Sequence, residues 1–73
     1  LMQGKGQPAR LHYMSYSFRV LSPGDYVLCA MTGARIPLDD LRYWSIVRQE
    51  AYIDAEASAQ AEIRWRKAQG LSA

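Results

Sequence analysis

One cysteine, Cys29, and one histidine, His12, are the only soft metal ligands in 73 residues. An internal disulfide is therefore excluded, and a structural zinc site, which takes four thiolate or imidazole donors, has no ligand set to draw on. Long apolar runs are missing as well. The longest, Tyr26 to Met31, falls far short of the 18 or more residues of a membrane-spanning helix, and no leader-peptide pattern stands near the start. The chain opens on Leu1 rather than Met, so targeting information could lie before it; the composition is that of a cytoplasmic protein with no membrane span. Large side chains for a core are also scarce. Leu, Ile, Val and Phe number fifteen, and ten alanines swell the 49% hydrophobic fraction while adding helix propensity more than buried area. A chain this short buries only about 60% of its unfolded surface on folding, so a partner is expected to supply further burial.

Charge is spread without a dominant sign. The formal net charge is +2, with residues 1–37 at +3 and residues 38–73 at −1. A dedicated nucleic-acid binder concentrates its cations in a stripe; here they are scattered.

Residues 1–9, rich in Gln, Gly and Pro, read as a flexible tail, with a single small domain over 10–73. From Leu11 to Leu21 apolar Met14, Tyr16, Phe18 and Val20 alternate with Ser15, Ser17 and Arg19, the pattern of a half-buried strand over about 11–21. Pro23-Gly24 then suits a type II turn with Gly24 at positive φ. A second strand is expected over about 26–31, paired so that Val20 faces Val27 and Phe18 faces Cys29. Short strands follow over about 36–38 and 41–44, with Pro37 restricting the first of them to an edge. Beyond Ser45 there is no Gly or Pro until Gly70. The sequence therefore predicts one helix over about 46–68, capped by Ser45. Its alanines fall in two rows, Ala51, Ala55 and Ala59 and Ala57 with Ala61, that would permit close approach of a neighbour. The expected fold is α+β, small antiparallel hairpins packed on one long C-terminal α-helix.

Two resemblances stand out. Cys29 to Ile36 resembles half of a zinc-ribbon knuckle, keeping Cys29, Gly33 and Ile36 but placing Thr32 where the second thiol belongs; the knuckle's turn at Gly33 is expected to survive without metal. From about Val20 to Glu56 the chain looks like an uncharacterised family of short bacterial proteins, a domain of unknown function. The likeness rests on Pro23-Gly24-Asp25, Cys29, Thr32-Gly33, Ile36-Pro37-Leu38, Leu41-Arg42-Tyr43-Trp44-Ser45 and Arg48-Gln49-Glu50-Ala51-Tyr52. It implies no catalytic or ligand residues.

The residues themselves offer none either. Ser45 has no neighbouring base, Cys29 lies in an apolar strand, and Asp39-Asp40 suit a turn or a cap better than an acid–base pair. The expectation is a non-enzyme without cofactor: a protein–protein interaction module or accessory subunit of a larger bacterial assembly. Cations and large aromatics mingle at Arg42-Tyr43-Trp44 and Arg64-Trp65-Arg66-Lys67, the composition of binding hot spots. Trp44 is expected in the core, and Arg42, Arg48, Trp65, Arg66 and Lys67 at the partner surface. The alternative is a nucleic-acid-associated module using the basic tail, Arg42, Arg48 and the Arg64 to Lys67 cluster.

Overall fold

A turn at Met14 to Ser17, closed by the Met14 N–H donating to the Ser17 carbonyl at 2.9 Å, cuts the expected first strand in two. β1 (Arg10–Tyr13) and β2 (Phe18–Ser22) form an antiparallel hairpin in which Tyr13 faces Phe18, His12 faces Arg19 and Leu11 faces Val20. A two-residue tip preserves the period of two, so the alternation runs on through the reversal and gives no sign of it. Leu11, Tyr13, Phe18 and Val20 share one face; His12 and Arg19 share the other. The register shifts between Arg10 and Leu11, leaving Leu21 as an extra residue on β2, a bulge.

The structure is a computed structural model that describes residues 6–70. After β2 come β3 (Tyr26–Leu28), β4 (Arg35–Pro37), a single 3₁₀ turn at Leu38–Asp40, β5 (Tyr43–Ser45), β6 (Glu50–Tyr52) and α1 (Ala55–Ala68). The strands make three separate two-stranded antiparallel sheets, β1–β2, β3–β4 and β5–β6. The broad α+β class is as expected; beyond the split first strand, the details depart from it in three further places.

First, β2 does not pair with β3, so Val20 and Phe18 do not face Val27 and Cys29. The edge of β3 is taken instead by residues 6–9. Pro8 bridges Tyr26 in parallel, the Ala9 N–H donates to the Tyr26 carbonyl at 2.7 Å, and the Asp25 N–H donates to the Gln7 carbonyl at 3.1 Å. Residues 6–9 therefore belong to the fold rather than to a tail, with Ala9 buried; residues 1–5 lie outside the described residues. Gly24 is not at positive φ. Its role is close approach, because a side chain there would run into the backbone of Pro8 and Ala9.

Second, the strand expected over 26–31 ends at Leu28, and Cys29 turns into the loop that leads to β4. The Cys29 N–H donates to the Ala34 carbonyl and the Gly33 N–H returns to the Cys29 carbonyl, with Gly33 at φ 77°, the left-handed conformation that glycine adopts freely. β4 pairs Ile36 with Val27, and Pro37 closes the ladder opposite Tyr26.

Third, the helix begins at Ala55, not near Ile46. Ser45 does act as a cap, its Oγ accepting from the Arg48 N–H at 3.0 Å, but the turn stops at Gln49, whose φ is 53°. The chain then doubles back as β6, with Trp44 opposite Ala51. Asp54 is the true N-cap: its Oδ1 accepts from the Ala57 N–H at 2.8 Å, with Glu56 in the first turn and Arg66 and Lys67 in the last, charges placed to suit the helix dipole. Fourteen residues span about 21 Å. Of the alanine rows, Ala57 and Ala61 are buried, Ala55 and Ala59 are exposed along the groove between α1 and the β5–β6 hairpin, and Ala51 belongs to β6.

The core draws on every sheet: Ala9, Tyr13, Val27, Cys29, Ile36, Leu41, Ala51, Tyr52, Ala57 and Ala61 are buried, and Trp44 and Phe18 pack against them. The β3 and β6 sheets are stitched at Cys29 and Ala51, where the Ala30 N–H donates to the Ala51 carbonyl at 2.8 Å. No helix among the described residues is long and apolar enough to cross a membrane.

Candidate interaction site

The turn that replaces the start of the expected helix places two side chains that organise the molecule. Arg48 points inward and Gln49 reaches sideways to β1. The Arg48 side chain is 16% exposed. Its Nε and Nη2 donate to the Tyr52 hydroxyl at 3.1 and 3.0 Å, and that hydroxyl donates to Glu50 Oε2 at 2.8 Å. Nη1 donates to Glu62 on α1 at 3.4 Å, and Glu62 in turn pairs with Arg66 at 3.1 Å. The guanidinium lies 5.5 Å from the centre of the Trp65 ring, within cation–π range. Burial alone would lower the Arg48 pKa, but the Tyr52 hydroxyl and the Glu62 carboxylate outweigh it and raise it. Burial, and then the bond to Glu50, raises the Tyr52 hydroxyl.

This network ties the β5–β6 hairpin to α1. The open groove beside it, about 390 Å³, is lined by Tyr43, Trp44, Ser45, Arg48, Tyr52 and Glu62 among others. The Arg48 donors that border the groove are spent on Tyr52 and Glu62, so the arrangement clamps two elements together and leaves little charge for a ligand. Among the described residues no group of three or more His, Cys, Asp or Glu side chains could hold a metal. Cys29 is buried and free. Burial would raise its thiol, yet the Thr32 hydroxyl and the amides of Thr32, Ile53 and Met31 outweigh that and hold it below its ordinary value.

Of the residues expected at a partner surface, Arg48 and Arg66 are brought together through Glu62, and Trp65 joins them under the Arg48 guanidinium. Trp65 is half-buried, one face covered by Arg48. Lys67 is exposed near the end of α1, and Arg42 is exposed just before β5, apart from that network.

The sequence reading passed over a second surface. Gln49 Oε1 accepts from the Tyr13 N–H at 3.0 Å and its Nε2 donates to the Tyr13 carbonyl at 3.0 Å, so a side-chain amide pairs with β1 as a neighbouring strand would. Trp44 supports the same point: its indole N–H donates to the Met14 carbonyl at 2.8 Å, and its ring meets Phe18 edge-on and stacks on Tyr13. The inner edge of the hairpin is thus occupied. Its outer strand, β2, carries Val20 and Leu21 at 49% and 52% exposure, and Tyr16 at the tip is 98% exposed.

Residues 20–61 match a family described as "uncharacterized protein conserved in bacteria" (DUF2093). The matched stretch runs from the middle of β2 to the middle of α1, and β1 lies outside it. No curated protein and no solved structure matches the chain.

Proposed function

The chain belongs to this uncharacterised bacterial family, whose description carries no activity, and we propose that it is a non-catalytic protein–protein interaction module or accessory subunit of a larger assembly. The observation that supports this reading is the open edge strand β2, on which Val20 and Leu21 are exposed, with Tyr16 exposed at the tip of the same hairpin. A strand edge left unpaired and apolar is a ready template for pairing with another chain. Of the partner residues proposed from composition, Arg48, Trp65 and Arg66 form a second, more polar cluster, with Arg42 and Lys67 apart from it; the pairing of Arg48 and Arg66 with Glu62 gives that cluster a supporting part. We place the protein in the cytoplasm, where the single thiol stays reduced.

The nucleic-acid alternative draws less support, because two of its cations are held by carboxylates. Salt separates the readings. A phosphate-driven complex loses affinity steeply between 50 and 200 mM salt, whereas an apolar contact holds. Purification of the tagged chain from its native cells at both ionic strengths is expected to retain a stoichiometric protein partner at the higher one. Loss of every partner at 200 mM, with nucleic acid retained at 50 mM, would overturn the proposal.

A further inference from the structure

Backbone geometry on β2 sharpens that reading. In an antiparallel ladder, opposite residues alternate between pairs that exchange hydrogen bonds and pairs whose backbone groups point away from each other. Tyr13 has both its N–H and its carbonyl engaged by Gln49, on the side away from β2. Its opposite number, Phe18, must therefore turn its own N–H and carbonyl away from β1, and two residues along Val20, opposite Leu11, must do the same. Among the described residues no hydrogen bond from outside the ladder reaches those four backbone groups. On the inner edge the side-chain amide of Gln49 satisfies the equivalent groups of Tyr13; on the outer edge no side chain does so for Phe18. Edge strands are normally blunted by charge, proline or a bulge. β2 has one charge, Arg19, no proline, and its bulge only at Leu21, so the stretch from Phe18 to Val20 remains a usable edge.

We propose that this edge accepts an extended segment of another protein as a third strand, and that the segment alternates apolar and acidic residues. The proposal rests on the interaction-module reading and names the partner's chemistry. Apolar residues of the added strand would lie across from Phe18 and Val20 and continue the face formed by Leu11 and Tyr13. An acidic residue would lie across from Arg19, on the face that also carries His12. Residues 6–24 include Arg10, His12 and Arg19 and no acid, and none of the three has a carboxylate partner among the described residues. That imbalance argues against a second copy of this chain as the occupant, since pairing β2 with itself brings the cations of two hairpins together with no acid between them.

The probe is a synthetic seven-residue peptide alternating Val and Glu, with blocked ends. Two controls accompany it, the same peptide with Lys for Glu and the Glu peptide N-methylated at alternate residues so that it cannot pair. Amide NMR of the intact chain is expected to show shifts concentrated at Phe18, Arg19 and Val20, slower exchange of the Phe18 and Val20 amides, and at least tenfold weaker binding of both controls. Arg19→Glu, an exposed substitution that leaves the Gln49 and Trp44 contacts alone, is expected to reverse the preference between the Glu and Lys peptides. Equal binding of the Lys peptide, shifts centred on α1, self-association through β2, or preferential binding of a single-stranded oligonucleotide at these residues would each overturn the inference. The broader reading fails separately. If Arg19→Glu keeps its native protein partner, strand addition is wrong and the interaction module stands; if the unaltered chain has no partner in its cells, the module reading itself is wrong.

Discussion

Replacing Gln49 tests whether a side chain holds the first hairpin in place. Its amide makes three hydrogen bonds, two to the Tyr13 backbone and one to the Ile46 carbonyl at 2.8 Å. At about 1 kcal/mol net for each, Gln49→Ala is expected to cost about 3 kcal/mol. The backbone opposes the native residue, because φ is 53° and a left-handed conformation costs a non-glycine residue about 1 kcal/mol. Gln49→Gly removes that strain and loses the same bonds, so it should cost about 2 kcal/mol. Against the roughly 4–11 kcal/mol that 0.05–0.15 kcal/mol per residue gives a chain of this size, both losses are large. Melting followed by circular dichroism should fall by about 12 °C or more for the alanine variant and by less for glycine, at about 4–8 °C per kcal/mol. Amide exchange at Tyr13 should quicken in both. An alanine variant that melts with the unaltered protein, or a glycine variant less stable than alanine, would refute the reasoning.

Gly24→Ala should destabilise by about 1–3 kcal/mol through overpacking, since the added methyl would press on the Pro8 and Ala9 backbone; a chemical melt unchanged in midpoint would count against that contact. Trp44→Ala removes the Tyr13 and Phe18 ring contacts and the bond to Met14 and should cost about 3 kcal/mol. Trp65→Ala, which uncovers only the Arg48 face, should cost about 1 kcal/mol; paired thermal melts check the order. Alkali should unfold the chain. Burial raises both Tyr13 and Tyr52 above the ordinary tyrosine value, so their contribution is fully present below about pH 10 and is lost as pH climbs through the raised folded values. Tyrosinate absorbance should therefore rise together with loss of structure; tyrosines that all ionise near pH 10 in a still-folded chain would contradict it.

What was legible in the sequence was the kind of element rather than where each one ends. Asp54 followed by Ala55-Glu56 is a better helix start than Ser45, but the absence of Gly and Pro from 46 to 68 read as continuity. The interruption came from Gln49, a residue whose positive φ is made tolerable by what its side chain binds 36 positions away, and no local pattern announces that. The tip at Ser15-Tyr16 was masked for a different reason: a two-residue reversal leaves the parity of the strand unchanged. The pairing of β2 with β3 failed because residues 6–9 compete for the same edge, and their Gln and Pro content suggested a tail. The clustering of Arg48 with Trp65 was open to inference only in part, through their shared appeal as binding residues. Glu62, which draws Arg48 and Arg66 together, carried no signal beyond its i, i+4 spacing to Arg66.

A photo-crosslinking residue placed at Val20, and separately at Lys67, in the chain expressed at native level in its own cells bears most directly on the claim that this is an interaction module whose contact lies on the first hairpin. The account predicts a discrete covalent adduct with one other protein from position 20, formed equally at low and moderate salt, and a weaker one or none from position 67. An adduct from position 67 alone would move the contact to α1, and crosslinking only to nucleic acid or to nothing at either position would contradict the account.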